Sequence, residues 1–344
     1  MFQTEPYFQA RYQATARRMA YQATSPEAHH IWRPSLRAAL AELLGIPHML
    51  PTPLNSHITE TVQCDGYRRE RVEIDTEPGV TMPLYVLIPH QPRVDAFALI
   101  TAHGHGSAGK DALVGLTDNP LVADKIKQHN YDYAVQAVRK GFIAFVPDAR
   151  GFGERRERDS AGSDQTLNSS CFQLAHMALP LGLTVAGMWV WDLMRLIDYI
   201  ATRPDTQQRK VAGLGFSGGG LQMLYLAALD ARLAATVISG YFYGVRDSLL
   251  HLSMNCPCNY VPHLWELADM GDIGALISPR PLFIESARQD PLNGPRGIIN
   301  VQEQVDIARQ AYAVLGAEDR LATHSFDGPH TWHGATAFDW LLKQ

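Results

Sequence analysis

The segment KVAGLGFSGGG, residues 210–220, decides the fold of this chain. Its apolar part, Val211–Gly215, is typical of a buried parallel strand, and the apolar run that follows, Leu221–Leu229, predicts a buried helix. The glycines between them permit a turn too tight for residues with a Cβ atom. Ser217 stands in that turn, where its hydroxyl would be exposed at the carboxyl end of the strand. The segment therefore predicts a strand–turn–helix unit that presents a serine nucleophile.

The same segment also fits a second motif. Gly213, Gly215 and Gly218 match G-x-G-x-x-G, the pattern of a dinucleotide-binding turn. That motif normally opens the first βα unit, and an acidic residue normally ends the next strand. The next predicted strand here, Ala234–Gly240, ends without one. The serine-presenting turn is therefore favoured over a cofactor loop and over a purely structural glycine-rich turn.

Two loops further along the chain offer an acid and a base. A serine nucleophile needs a base, and the base needs a carboxylate to orient it. Asp290 follows the predicted strand Pro281–Ser286, and His330 follows the predicted strand Arg320–Phe326. Because parallel strands end at one edge of a sheet, both loops should lie beside Ser217. The sequence thus predicts a Ser217–His330–Asp290 triad.

Other residues could fill the same roles. His333, which we expect to begin the last helix, is the second choice of base, whereas His324 lies within a predicted strand. Asp247 is the reserve acid. Asp327 is too close in sequence to His330 and is better suited to shaping the turn.

An apolar strand, Ala96–Ala102, leads into a loop that could complete an oxyanion hole. The loop, His103–Asp111, has the sequence HGHGSAGKD. One backbone N–H from such a turn, together with the N–H of the residue after the nucleophile, can bind a developing negative charge. We assign these donors to His105 and Gly218, with Gly106 as an alternative to His105.

Binding motifs compete for this loop. Gly104–Lys110 fits the phosphate loop G-x-x-x-x-G-K, but Asp111 replaces the Ser or Thr that would hold magnesium, and its carboxylate would repel phosphate. His103 and His105 could ligate a metal, although no acidic or cysteine partner is evident near them in the sequence. We expect neither a nucleotide nor a metal here.

A short cysteine motif, Cys256-Pro257-Cys258, lies between His251 and His263. Its spacing is tighter than that of the usual zinc hairpins, and no second cysteine pair follows. We expect these cysteines to be buried structural thiols.

Composition limits the class of protein. The chain has 344 residues, of which 46% are hydrophobic and 19% are charged, which fits one α/β domain with an extension. A net charge of −5 argues against nucleic-acid and anionic-membrane partners. No apolar run reaches membrane-spanning length and the N-terminus has no signal-peptide core, so we expect a cytoplasmic protein. Four cysteines in a chain this long give no disulfide framework.

The order of patterns predicts the domain organisation. Residues 1–55 have helical spacing and form a predicted N-terminal extension, which could support a homo-oligomer. Residues 56–344 form the main domain, in which 58–89 predict an antiparallel hairpin at the sheet edge. From Ala96 onward strands alternate with helices, which predicts a mostly parallel, doubly wound sheet of the α/β class. Residues 241–275 are expected to form a small cap-like insert over the site.

Taken together, these motifs resemble the acetyl-xylan-esterase and dienelactone-hydrolase-like branch of the α/β-hydrolases. The resemblance covers roughly residues 60–344 and is carried by motifs in a specific order: His103–Gly106 with Gly109-Lys110, Pro147–Glu154, Gly187-Met188 with Trp191-Asp192, the Ser217 turn, Cys256–Tyr260, Ser278–Pro281 leading to Asp290, and Asp327–His330. It implies the α/β-hydrolase fold, a Ser217–His330–Asp290 triad and hydrolysis of carboxylic esters. Dienelactone hydrolases proper carry a cysteine where Ser217 stands. Pro329 replaces a more usual glycine and should stiffen the turn before His330.

The resemblance and the motifs together lead to one expectation. The protein should be a serine esterase that forms an acyl-enzyme and takes a small-molecule ester, either short-chain or an acetylated carbohydrate, without requiring a metal or an organic cofactor. A lactonase or peptidase with the same triad, and a non-catalytic binding protein on the same fold, remain alternatives.

Arg150 is a candidate substrate-binding residue. It follows a predicted strand in Pro147–Gly151 and could reach a substrate carboxylate or sugar. The favoured alternative is that Asp148 and Arg150 pin the loop through a salt bridge.

Overall fold

A single mixed sheet organises the computed structural model, which describes residues 2–157 and 166–344. The strands found in these ranges are β1 (His57–Cys64), β2 (Tyr67–Glu77), β3 (Val80–Pro89), β4 (Ala98–Ala102), β5 (Ile143–Pro147), β6 (Val211–Phe216), β7 (Leu233–Ser239), β8 (Leu282–Ala287) and β9 (Leu321–Phe326). Their order in the sheet is β1-β2-β3-β5-β4-β6-β7-β8-β9.

Helices cover both faces of this sheet. Within the described ranges they are α1 (Glu5–Thr15), α2 (Pro26–Leu44), α3 (Lys110–Leu113), α4 (Pro120–His129), α5 (Tyr133–Arg139), α6 (Cys171–Ala178), α7 (Val185–Thr202), α8 (Gly218–Leu229), α9 (Leu264–Leu267), α10 (Met270–Ala275), α11 (Ile298–Val314) and α12 (Ala337–Leu341). The last helix begins at Ala337, so the expectation that His333 begins it is wrong; His333 lies in the loop before it.

The sheet has a parallel part and an antiparallel edge. Neighbouring strands from β5 through β4 to β9 pair in parallel, whereas β3 pairs with β5 in the antiparallel sense. The predicted edge hairpin contains three strands rather than two, because the chain turns at Gly66 as well as at Gly79. Both glycines have φ near +80°, a backbone region that favours glycine.

The inner parallel strands β4, β5, β6 and β8 are buried on both faces, whereas the edge strand β9 is partly exposed. In β4, Ala98 and Ile100 join the hydrophobic cluster under α2, α7, α8 and α11, while Leu99 joins the cluster under α3, α5 and α12. This alternation explains why the sequence of these strands is continuously apolar. The predicted mostly parallel, doubly wound sheet is confirmed.

The N-terminal helices pack against the main domain. Ser25 caps α2 by accepting a hydrogen bond from the Ala28 N–H, and Gly45 ends the helix at a φ of +79°. The backbone N–H groups of residues 17–19 donate to the carbonyls of 265–267, and Arg17 binds both carboxylate oxygens of Asp272. The extension is therefore joined directly to the segment between β7 and β8.

Among the described residues, no single helix combines the length and apolar character needed to cross a membrane. The stretch Cys171–Leu181 and α7 meet those criteria only as a pair, with a bend of 93° between them.

Three glycines let the turn after β6 close tightly and approach the end of β4. A Cβ atom on Gly219 would collide with the carbonyl of Ala102, and one on Gly215 would collide with the Gly219 carbonyl. A Cβ atom on Gly104 would lie 2.8 Å from the Phe216 oxygen and 2.9 Å from the Ser217 Cβ atom. Because there is no space for these Cβ atoms, glycine is required at all three positions.

Replacing Gly219 with alanine should destabilise the protein by at least about 3 kcal/mol, because the methyl group would force α8 away from β4. Gly316→Ala is the matched control. Nothing lies within 4 Å of a Cβ atom there, so only the left-handed backbone opposes the change, at about 1–2 kcal/mol. Urea denaturation measures both values, and equal losses would contradict this account of the crossing.

Candidate active site

Ser217 lies at the junction of β6 and α8 in a strained backbone conformation. Its φ is +58° and its ψ is −119°, values that residues with a side chain rarely adopt. Hydrogen bonds hold this conformation: the Ser217 N–H donates to the Ser239 carbonyl at 2.9 Å, and the Leu221 N–H donates to the Ser217 carbonyl at 3.1 Å. The turn predicted from the sequence thus directs a serine side chain out of the sheet edge.

Asp290 and His330 are brought together from the loops after β8 and β9. His330 Nδ1 lies 2.6 Å from Asp290 Oδ2, and the Asp290 side chain is only 2% exposed. The other carboxylate oxygen accepts the Leu292 N–H at 2.9 Å. A neutral imidazole that donates from Nδ1 keeps its lone pair on Nε2, the arrangement that a general base needs.

The ring of His330 packs on the residue before the serine. The His330 and Phe216 rings lie 4.6 Å apart, centroid to centroid. His129 donates from Nδ1 to the His330 carbonyl at 3.0 Å, and burial lowers the pKa of His129, which favours its neutral form. The base is therefore positioned by contacts on both its ring and its backbone.

The loop after β4 is fixed by three buried side chains. Tyr131 Oη donates to the His105 carbonyl at 2.6 Å, and Tyr133 Oη donates to the Ala102 carbonyl at 2.6 Å. Gln222 Nε2 donates to the His103 carbonyl at 3.1 Å. Within the described parts of the chain, the N–H groups of His105 and Gly218 donate to no other group, which leaves both available to an oxyanion.

His103 is turned away from this site. Its Nε2 accepts the Ala149 N–H at 3.1 Å, and its Nδ1 donates to the Gly104 carbonyl at 3.1 Å. Burial lowers the pKa of His103, so the ring stays neutral. The ring links the loops that follow β4 and β5, and it is not paired with His105 as a metal ligand.

Lys110 cannot serve as a phosphate-binding lysine. Its buried ammonium lies 2.8 Å from Asp148 Oδ2 and 2.5 Å from Glu154 Oε1. Burial alone would lower the pKa of Lys110, but these carboxylates raise it. The lysine is therefore a buried cation that joins the loops after β4 and β5.

Arg150 has different partners from those expected. It binds both oxygens of Asp192, at 3.0 and 2.8 Å, and Glu77 at 2.7 Å, whereas Asp148 pairs with Lys110. Burial alone would raise the pKa of Asp192, but Arg155 and Arg150 lower it to about 2. The predicted salt bridge between Arg150 and Asp148 is thus wrong, although Arg150 does hold the loop in place through Asp192 and Glu77. It lines a cavity different from that of Ser217.

The alternative candidates for the acid and the base have other partners than the triad. Asp247 pairs with Arg246 and Arg296, and Asp327 is exposed beside Arg288. The rings of His324 and His333 pack with Phe326 rather than with His330.

Glu285 is a site residue that the sequence analysis missed. It is fully buried in β8 and accepts hydrogen bonds from the Ser239 hydroxyl at 2.9 Å, the His333 N–H at 3.1 Å and the Gly334 N–H at 3.0 Å. Burial raises the pKa of Glu285, although these hydrogen bonds oppose the rise. The carboxylate therefore ties the loop of His330 to the strand that holds the Ser217 N–H. The signal was an acidic residue inside an apolar strand.

A cavity of 340 Å³ lies beside Ser217, His330 and Gly218. Its volume lies near the lower end of the roughly 300–1,000 Å³ typical of small-molecule sites. The segment between β7 and β8 forms much of the wall. The lining residues are His105, His129, Tyr131, Ser217, Gly218, Tyr241, Tyr243, Met254, Asn255, Cys256, Asn259, Leu292 and His330.

The sequence model of the Abhydrolase family matches residues 9–330. The chain belongs to this family. The protein named "Putative hydrolase YtaP", from Bacillus subtilis (strain 168), is 26% identical over an alignment of 325 residues that covers 90% of this chain and 100% of that protein. Carbohydrate esterase MZ0003, from an unknown prokaryotic organism, is 23% identical over 311 residues, covering 78% of this chain and 70% of that protein.

A solved structure of another protein has the same fold as this member of the Abhydrolase family. The crystal structure of a "putative acetyl xylan esterase" from Bacteroides fragilis NCTC 9343 superposes with a TM-score of 0.78 at 22% identity, over 95% of this chain and 83% of that chain. The α/β-hydrolase fold that the sequence predicted is confirmed, as is the resemblance to acetyl-xylan-esterase-like proteins. The dienelactone-hydrolase side of the resemblance stays a prediction.

Replacing Glu285 with glutamine should reduce stability by about 1–3 kcal/mol, because an amide NH₂ would face a donor that now meets a carboxylate oxygen. The exposed Glu318→Gln is the control. Urea denaturation gives both free energies of unfolding. A loss at Glu285 within about 0.5 kcal/mol of the control would contradict the linking role.

Proposed function

We propose that this protein is a serine hydrolase that cleaves carboxylic esters through an acyl-enzyme, with short acyl groups on carbohydrates as the substrate class. One observation carries the proposal. His330, which is paired with Asp290, opens onto the same cavity as Ser217, beside the N–H groups of His105 and Gly218, which donate to no other group in the described part of the chain.

The chemistry follows from these positions. His330 Nε2 takes the Ser217 proton as Oγ attacks the ester carbonyl, and Asp290 stabilises the imidazolium that forms. The N–H groups of His105 and Gly218 bind the oxyanion, and such donors are worth about 3–4 kcal/mol each. His330 then protonates the leaving alcohol. Water, deprotonated by His330, releases the acid and restores Ser217.

The substrate class rests on the cavity and on the relatives. A cavity of 340 Å³ suits a small acyl group better than a long chain, and its tyrosines and asparagines, Tyr243 and Asn255 among them, offer both aromatic surface and hydrogen-bonding groups to a polar alcohol. A carbohydrate esterase and a protein named as an acetyl xylan esterase are similar to this chain.

Hydrolysis of p-nitrophenyl acetate tests the triad. We expect Ser217→Ala and His330→Ala each to lower kcat by about 10⁴-fold or more, and Asp290→Asn to lower it by about 10⁴-fold through loss of the correct tautomer. His333→Ala is the control and should retain nearly full activity, because its ring packs away from His330. Full activity in Ser217→Ala would overturn the mechanism.

Acyl length tests the substrate class separately. We expect kcat/KM for p-nitrophenyl acetate to exceed that for the octanoate ester by roughly 100-fold, because the longer chain would not fit the 340 Å³ cavity. Release of acetate from acetylated xylo-oligosaccharides, followed by chromatography, then tests the alcohol part. A preference for octanoate would contradict the proposed short acyl group.

A further inference from the structure

Four metal-ligating side chains meet behind the oxyanion loop. They are His105, Cys171, Cys256 and Cys258, and one ligand atom from each lies within 4.8 Å of every other. They come from three segments of the chain: the loop after β4, the first residue of α6, and the turn Pro257–Asn259 with its preceding residue. The fold thus gathers donors that are up to 153 residues apart in sequence.

The spacing of these atoms matches a single tetrahedral ion. With Zn–S near 2.3 Å and Zn–N near 2.0–2.1 Å, the edges of such a site are about 3.8 Å between sulfurs and about 3.5 Å between nitrogen and sulfur. His105 Nε2 lies 3.6 Å from Cys258 Sγ, and the remaining pairs fall within the same 4.8 Å limit. An ion at the centre would reach all four atoms with small side-chain adjustments.

Surrounding groups orient the ligands. The His105 ring lies 5.0 Å from the Phe152 ring and 6.3 Å from the Trp189 ring, centroid to centroid. Its Nδ1 edge faces Gly218, because a Cβ atom there would lie 2.8 Å from Nδ1. Nε2 is therefore the atom turned toward the cysteines. Asn259 Nδ2 lies 3.6 Å from Cys258 Sγ, in position to donate to a thiolate.

A disulfide accounts for the cluster less well. A disulfide joins two thiols, so it would leave one of the three cysteines and the imidazole without a role. A lone buried cysteine packs as a small apolar residue, and Cys171 and Cys258 are both buried. Here three sulfurs and an imidazole nitrogen converge instead. Convergence of four soft donors is the pattern of a zinc site.

We propose that His105, Cys171, Cys256 and Cys258 form a tetrahedral site for a divalent ion of the zinc class. Four protein ligands leave no open position, so the site is structural rather than catalytic. Thiolate and imidazole donors favour zinc over magnesium or calcium. Binding converts the three thiols to thiolates and releases their protons to solvent.

The site would fix the oxyanion loop to the wall of the cavity. It joins His105 to Cys256 and Cys258 of the segment between β7 and β8, and to Cys171 of α6. The assignment of the metal does not depend on the esterase proposal. Only its consequence, a fixed position for the His105 N–H, rests on that proposed function.

Metal content of the full-length protein is the test, measured by inductively coupled plasma mass spectrometry after purification without chelators from zinc-supplemented cells. We expect one zinc ion per chain in the wild type and in Cys64→Ser, whose cysteine lies in the edge strand β1. We expect Cys171→Ser and Cys258→Ser, each lacking one ligand, to retain at most roughly a tenth of that zinc, because losing a ligand weakens binding by at least the roughly 100-fold that losing an outer partner can cost. Ser217→Ala should keep its zinc, so failure of the esterase proposal would not affect this result.

A second measurement does not depend on the folding of the variants. Wild-type protein is stripped with a chelator and titrated with Co²⁺, which should give thiolate-to-cobalt absorption bands that saturate at one equivalent and disappear when Zn²⁺ is added. A protein that takes up neither ion and keeps four free thiols would overturn the proposal. An intact protein mass lower by two hydrogens than that of the reduced chain would also overturn the proposal, because it would identify a disulfide in the cluster.

Discussion

The absence of side chains where two loops cross is the constraint on which the rest of this structure depends. Gly219 lies against the Ala102 carbonyl, and Gly104 lies against Phe216 and Ser217. Only at this separation do the turn after β6 and the loop after β4 face a common cavity. The strained backbone of Ser217 is compatible with that approach because one hydrogen bond to β7 and one from the first turn of α8 hold it. The close packing of the two backbone segments therefore determines where the reactive groups lie.

Buried polar groups then join the loops to one another. Glu285 connects the loop of His330 to β7, and the pair of Lys110 with Asp148 connects the loops after β4 and β5. A buried charge left without its partner costs about 3–5 kcal/mol, so each of these groups strongly disfavours any other loop arrangement. The loops at this edge are fixed by satisfied hydrogen bonds and ion pairs, which is why they can hold a site without being regular structure.

The sequence predicted what depends on local pattern and chain order. Apolar runs located β4 and β6, and the order of residues in the chain placed Asp290 and His330 at the edge that carries Ser217. What it could not predict depends on side chains meeting across the fold. Arg150 lies two residues after Asp148 in sequence, yet it pairs with Asp192, because α7 brings that carboxylate to the loop. Cys171 gave no signal of its own, since the other three members of its cluster lie 66 to 87 residues away in sequence.

The architecture separates the reacting groups from the wall that faces the substrate. Ser217, Asp290 and His330 follow strands of the central sheet, whereas Tyr243, Asn255 and Asn259 of the cavity wall belong to the segment between β7 and β8. Changes in that segment can therefore alter which molecule fits without moving the base. His105 is the exception, since its carbonyl is held by Tyr131 and its ring contacts Cys258. A displacement of the wall would reach the oxyanion donor through this residue, so substrate fit and oxyanion binding should be coupled there.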